Sequence, residues 1–339
     1  MFTFEHIVDL PLIWGGLIAV AVLLYVLLDG FDLGIGILFP FAPSDKCRDR
    51  MMNSVAPFWD GNETWLVLGG GGLFAAFPLA YAIVMPALYI PIIFMLLCLI
   101  FRGVAFEFRF KAETSRYIWD HAFHFGSLGT AFAQGIILGA IVQGIEVEGR
   151  SFAGGAFDWL SGFSVMCGLG VVAGYILLGA TWLIMKTEDQ TQAWARKSAQ
   201  YILIFVAIFM AIVSLWVPFL ENDLNERWFS VPNVYYLSAL PLITAIIFFL
   251  TWWSLRDIKS EVKPFLFSQT LFLLGYLGLA ISLWPWIVPY QITLWDGAAA
   301  GTSQSLLIIG AGIMLPIILI YTGFCYYTFR GKTSHESHY

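Results

Sequence analysis

The sequence predicts an all-α membrane protein with about nine transmembrane helices, arranged as two four-helix bundles plus one peripheral helix. Three observations predict it. Hydrophobic residues make up 59% of the 339-residue chain and charged residues only 12%, where soluble domains carry about 25%. Apolar stretches able to cross the ~30 Å hydrocarbon layer recur along the whole length. The basic residues between those stretches are confined almost entirely to alternate connections.

The expected spans run over 11–39, 54–76, 79–108, 119–145, 158–185, 198–220, 235–255, 265–287 and 303–329. The first is read as a retained span. The chain opens with Glu5 and Asp9 rather than basic residues, and the apolar run continues past residue 35, unlike a cleaved signal peptide. Phe77-Pro78 separates the second and third spans, because proline disfavours helix at the residue before it. Pro86 and Pro91 predict a kink in the third.

Lys46, Arg48, Arg50, Arg102, Arg109, Lys111, Arg116, Lys186, Arg196, Lys197, Arg256, Lys259, Lys263, Arg330 and Lys332 fall on one side. Only Arg150 and Arg227 fall on the other, so 15 of 17 basic residues share a side. The positive-inside rule makes that side cytoplasmic, with the N-terminus outside and the C-terminus inside.

A weak internal repeat aligns Tyr25-Val-Leu-Leu-Asp29-Gly-Phe-Asp32-Leu with Tyr175-Ile-Leu-Leu-Gly179-Ala-Thr-Trp182-Leu. It divides the chain into a first bundle over 1–150, a second over 151–300, and a ninth helix with a tail over 301–339. The second copy lacks the acids of the first, which confines acid chemistry to the N-terminal half.

Charged residues inside spans are rare and usually functional. Here Asp29 and Asp32 share one face of the first span, and Asp60 and Glu63 repeat that spacing in the second. Arg102, Glu107 and Arg109 close the same end of the third. Four unpaired carboxylates in hydrocarbon would cost on the order of 10–14 kcal/mol, comparable to a whole protein's stability. They must be protonated, paired with Arg102 or Arg109, or hydrated, and each condition suits a proton entry route. Trp59 and Trp65 flank these acids, and Gly69-Gly-Gly-Gly72 that follows reads as close helix packing.

Other classes are disfavoured. No basic stripe with interleaved aromatics points to nucleic acid. Cys47, Cys98, Cys167 and Cys325 lack the spacing of a disulfide framework or zinc site. Among His6, His121, His124, His335 and His338, only His121 and His124 touch a span, on one face of one helix. A bis-His haem needs ligands on opposite sides of its ring, so haem is expected in a partner rather than in this chain.

The segments Asp29-Gly-Phe-Asp-Leu-Gly-Ile-Gly36, Pro57-Phe-Trp-Asp-Gly-Asn-Glu-Thr-Trp65, Phe74-Ala-Ala-Phe-Pro78 and Phe101-Arg-Gly-Val-Ala-Phe-Glu-Phe-Arg109 resemble subunit II of cytochrome bd-type quinol oxidases. These four ordered matches cover roughly the first third of the chain; beyond them Leu178-Gly-Ala-Thr-Trp182 and the overall length also agree. The length and Phe58 look most similar to the short, cyanide-insensitive branch.

The resemblance implies a bacterial cytoplasmic-membrane complex that oxidises quinol and reduces dioxygen to water. A partner subunit I would carry haems b and d, or b alone, together with the quinol site. This chain would pack against it and supply protons from the cytoplasm through Asp29, Asp60, Glu63 and Asp32. Trp59, Trp65, Arg102, Glu107 and Arg109 would support that route or the subunit contact. A small accessory subunit and a quinone or lipid bound to this chain are compatible with it. Two other readings of the same acids stay open: a proton-coupled secondary transporter, and a purely structural subunit.

Overall fold

The computed structural model describes residues 9–333. Glu5, His6, His335 and His338 lie outside the described residues. Within them the chain forms thirteen α-helices and two short antiparallel hairpins. The helices are α1 (Leu10–Leu38), α2 (Asp45–Asn53), α3 (Trp59–Ala76), α4 (Pro78–Ala87), α5 (Tyr89–Lys111), α6 (Arg116–Gln143), α7 (Gly162–Lys186), α8 (Asp189–Trp216), α9 (Asn222–Phe229), α10 (Asn233–Leu237), α11 (Ala239–Arg256), α12 (Lys263–Leu283) and α13 (Gly301–Thr328). Strands β1 (Val147–Glu148) and β2 (Ser151–Phe152) pair between α6 and α7, and β3 (Trp286–Val288) and β4 (Ile292–Thr293) pair between α12 and α13.

Eight helical stretches among the described residues are long and apolar enough to cross a membrane: α1, α5, α6, α7, α8, α10 with α11, α12 and α13. The chain is a multi-pass membrane protein. The remaining expected segment, 54–76, folds as α3 and packs along α1. Asp60, Asn62, Glu63 and Thr64 crowd its first two turns and dilute its hydropathy.

The break at Phe77-Pro78 is present: α3 ends at Ala76 and Pro78 opens α4. Where a kink was expected, the segment 79–108 is divided into two helices at Leu88. Pro91 has no N–H to donate to the carbonyl of residue 87, so continuous helix fails there. In α5 the same proline sits at the third position, where backbone donors have no intrahelical partner in any helix. Helix α4 then lies at one end of the bundle against β2 and β3, in an apolar cluster with Trp14, Phe77, Ile83, Val288 and Leu294.

Helix α1 is the hub, touching α3, α6, α7, α12 and α13. Its closest neighbour is α7. A methyl group on Gly34 would overlap the carbonyl oxygen of Tyr175, and one on Gly179 would lie 2.6 Å from the carbonyl carbon of Gly34. The two backbones touch, the packing that small residues permit where no hydrophobic force drives helices together. One turn away Phe31 stacks on Trp182 with ring centroids 4.1 Å apart.

The end of α13 is strapped onto the α7–α8 turn. Lys186 Nζ donates to the carbonyls of Phe329 and Gly331, and the Thr333 N–H returns 2.9 Å to the Lys186 carbonyl. Lys332 Nζ donates to Glu261 Oε1 at 2.8 Å.

Two outcomes follow from these contacts. Gly34→Ala should destabilise the purified protein by about 1–3 kcal/mol through overpacking. Gly16→Ala on the same helix, which would meet nothing within 4 Å, should be neutral or slightly stabilising; thermal unfolding compares them. Hydrogen bonds from Lys332 and Gln192 hold the Glu261 carboxyl below the usual carboxylate range. Its contribution to the strap is therefore present above the ordinary value of about 4.3 and lost as pH falls through the lower folded value. Limited proteolysis of the tail should accelerate in that acid window, and Lys332→Met should abolish the acceleration.

Candidate functional site

Asp29 and Asp32 lie one turn apart on α1, both fully buried, and face Arg102 of α5, which is also fully buried. The Arg102 guanidinium donates to Asp29 Oδ1 at 2.7 Å, reaches Asp32 Oδ2 at 3.9 Å, and meets Glu63 Oε2 of α3 at 3.4 Å. Gly126 of α6 makes room for this, since a methyl group there would lie 2.9 Å from the Arg102 nitrogen and 2.7 Å from the Cys98 carbonyl. One cation thus serves three carboxyl groups from two helices.

Neutral groups complete the cluster. Asn62 Nδ2 donates to Asp32 Oδ2 at 2.7 Å and to the Leu28 carbonyl at 3.2 Å. Tyr326 of α13 donates its hydroxyl to Asn62 Oδ1 at 2.9 Å. Tyr25 lies one turn before Asp29 on α1 and is buried as well. Gln134 of α6 donates to the Tyr25 oxygen at 2.5 Å and accepts from the Tyr175 hydroxyl at 2.7 Å. Asp29 Oδ2, Asp32 Oδ1 and Arg102 Nε have no hydrogen-bond partner within the protein.

The other expected residues separate. Asp60 sits in the first turn of α3 and is exposed; the residue that reaches Arg102 is Glu63, three positions on, with 28% of its side chain exposed. Helix α3 starts only at Trp59, so Asp60 lies at its mouth, while the following turn presses Asn62 and Glu63 toward α1 and α5. Glu63 therefore stands between the exposed rim and the closed interior. Trp59 stacks on Phe106 at 4.8 Å, and the Arg102 guanidinium lies 6.0 Å from that Phe106 ring. Trp65 is buried against Ala21 and Tyr25.

Arg102, Glu107 and Arg109 do not form one group. Glu107 is exposed and pairs with Lys111 at 3.1 Å, one turn on. Arg109 is buried in a second network, bonded to Asp49 of α2 at 2.8 Å and Asp120 of α6 at 2.5 Å, with Arg116 also on Asp49. His124 turns Nδ1 to the Gly36 carbonyl at 3.3 Å, and His121 stacks on Phe125. Among the described residues no three His, Cys, Asp or Glu are grouped to hold a metal, and the four cysteines are free.

Sequence reasoning missed Asn62, Gln134, Tyr326 and the two tyrosines as site residues. Signals existed. Asn62 stands between the two acids of α3, Tyr25 and Tyr175 hold the same place in the internal repeat, and Gln134 is the one amide in an otherwise apolar stretch of α6.

Comparison with known proteins places these groups in context. The model of the cytochrome bd terminal oxidase subunit II family matches residues 10–329. The sequence is similar to cytochrome bd-I ubiquinol oxidase subunit 2 of Escherichia coli K12, with 30% identity over 364 residues and 96% of each chain covered. It is 29% identical over 336 residues to cytochrome bd ubiquinol oxidase subunit 2 of Bacillus subtilis 168, covering 96% of this chain and 97% of that one. The fold is similar to a chain of the bd oxidase from Geobacillus thermodenitrificans, with a TM-score of 0.74 and 19% identity over 94% of this chain and 99% of that one.

Removing the cation tests the electrostatics of the cluster. Arg102→Met should cost about 3–5 kcal/mol of stability by stranding a buried carboxylate. Adding Asp29→Asn to that variant should recover part of the loss. Equal unfolding temperatures for the wild type and Arg102→Met would contradict the pairing.

Proposed function

The chain belongs to the cytochrome bd terminal oxidase subunit II family, and from that premise we propose that it feeds protons to the oxygen chemistry of its partner subunit I. It is one subunit of a respiratory quinol oxidase complex. The finer reading rests on one observation: three carboxyl groups share a single guanidinium in a closed interior, and one of the three reaches the rim.

Charge balance carries the argument. Arg102 neutralises one carboxylate. A second and third negative charge in low dielectric would be unfavourable by several kcal/mol each, so protons balance them. A cluster that is neutral with two protons aboard passes protons with little change of net charge. Asp60 and Glu63 would gather them at the rim, and Asp29 and Asp32 would hold them inside. The excess of basic residues on the side that carries α2 makes that side cytoplasmic, so protons enter from the cytoplasm of a bacterial cell.

Haems b and d, or b alone, and the quinol site are assigned to subunit I. Among the described residues the histidines do not fit haem: His121 and His124 share one helix, and His124 turns a ring nitrogen to a backbone carbonyl. No step of the proton route passes through a group this chain would have to hold. Quinol and dioxygen are substrates of the complex rather than of this subunit.

A purely structural role has one observation in its favour, the direct Arg102–Asp29 pair that pins α1 to α5. One experiment separates the two. Asp29→Asn should assemble with subunit I and slow quinol-supported oxygen consumption by on the order of 100-fold, the low end of what a positioned proton-transfer group contributes. Glu63→Gln should slow it less. Wild-type turnover in an assembled Asp29→Asn complex would leave only the structural role.

A further inference from the structure

Asn62 is buried on α3, and one end of its amide meets two acceptors of α1. Nδ2 donates to Asp32 Oδ2 at 2.7 Å and to the Leu28 carbonyl at 3.2 Å. Leu28 and Asp32 are one helical turn apart, so both acceptors stand on one face of α1. A backbone carbonyl can only accept, so the amide must turn its NH2 toward this face. Its oxygen then points the other way, where the Tyr326 hydroxyl of α13 donates to Asn62 Oδ1 at 2.9 Å. The donors run in one direction, from Tyr326 to Asn62 and from Asn62 to Asp32.

Packing fixes the phenol that starts this chain. The Tyr326 ring stacks on Phe58, the residue before α3, with centroids 4.5 Å apart. Phe58 is met edge-on by Trp182 at 5.7 Å and by Phe329 at 6.1 Å. Beside Tyr326, Cys325 Sγ donates to the Pro57 carbonyl at 3.3 Å. The bond from Lys186 to the Phe329 carbonyl closes the same end of α13.

An amide N–H at a carboxyl oxygen has two effects. It favours the ionised form. In the neutral form it selects the oxygen that stays a carbonyl, because a hydroxyl oxygen is the poorer acceptor. We propose that Asn62 and Tyr326 are positioning residues for Asp32: they keep an N–H donor on Oδ2, so that Asp32 carries its proton on Oδ1 and releases it more readily than it would against an amide oxygen. This rests on the proton-route reading above, and Asp32 alternates between its neutral and ionised forms. The charged and titratable groups around Asp32 are Asp29 on α1, Glu63 on α3, Arg102 on α5 at 3.9 Å and Tyr326 on α13. Farther along α1, His124 of α6 meets the Gly36 carbonyl and Tyr175 of α7 packs on Gly30. Neither Asn62→Leu nor Tyr326→Phe changes a charge at neutral pH, so both report on the hydrogen bonds alone.

The test uses the assembled oxidase complex carrying Asn62→Leu, Tyr326→Phe or Asp32→Asn. The readouts are the pH profile of quinol-supported oxygen consumption and the infrared C=O band of a protonated carboxyl group that Asp32→Asn removes. Asn62→Leu should move the pH profile upward by on the order of one unit and lower turnover several-fold. The infrared band should persist to correspondingly higher pH and shift to higher wavenumber, as a carbonyl does on losing its donor. Tyr326→Phe keeps the ring stack on Phe58 and should act in the same direction, and it decides the matter should Asn62→Leu not assemble. Wild-type profiles and bands in these variants, or shifts toward acid pH, alongside slow Asp32→Asn, would overturn the positioning role and leave the proton route standing. Wild-type turnover in an assembled Asp32→Asn complex would remove Asp32 from the route and the proposal with it.

Discussion

Arg102 is the guanidinium within reach of Asp29, Asp32 and Glu63, and it is closed off from solvent. A cation in that position must be matched, and carboxylates in that position must be matched or protonated, because neither can fall back on water. The surrounding packing serves this requirement. Helices α1, α3 and α5 are brought to one point by the ion pairs, and Gly126 on α6 lets the backbone close over Arg102. The network of Arg109 with Asp49 and Asp120 does the same one turn or two farther along α5, where it fastens the short helix α2.

The neutral polar groups do different work from the charged ones. Asn62 and Tyr326 tie the acid cluster to α13, and Tyr25, Gln134 and Tyr175 tie α1 to α6 and α7, without adding charge. A buried hydrogen bond that is satisfied fixes geometry, while one left open is costly. The cluster has both kinds: Asp29 Oδ1 is bonded and Asp29 Oδ2 is not. The bonded atoms hold the helices in place.

Much of this was legible in the sequence because charge in an apolar span is expensive and so leaves a visible mark. Asp29, Asp32, Glu63 and Arg102 stand out for that reason, and the structure brings them together. Asp60 stands out equally, yet it is exposed. The start of α3 decides its position, and a helix start cannot be placed to one residue from apolar content alone. Glu107 and Arg109, two residues apart on α5, face opposite surroundings for the same geometric reason. Of the partners of Arg109, Asp49 comes from the short helix α2, outside any apolar run, and Asp120 stands at the very start of the span that α6 forms. The amide of Gln134 carries no charge and forms no pattern with its neighbours, so only the folded arrangement reveals that it joins two tyrosines 150 positions apart.

The pairing of Asp29 with Arg102 joins residues 73 positions apart, with α2, α3 and α4 between them. A ribosome adding ~5–20 residues per second therefore finishes the first acid-bearing helix roughly 4–15 seconds before its counter-ion emerges. During that interval the newborn segment has no arginine to lean on. Its carboxyls must enter the lipid as neutral acids or wait beside the insertion machinery until α5 arrives. The ion pair therefore closes late in synthesis, by a residue that arrives when the acids it neutralises are already made.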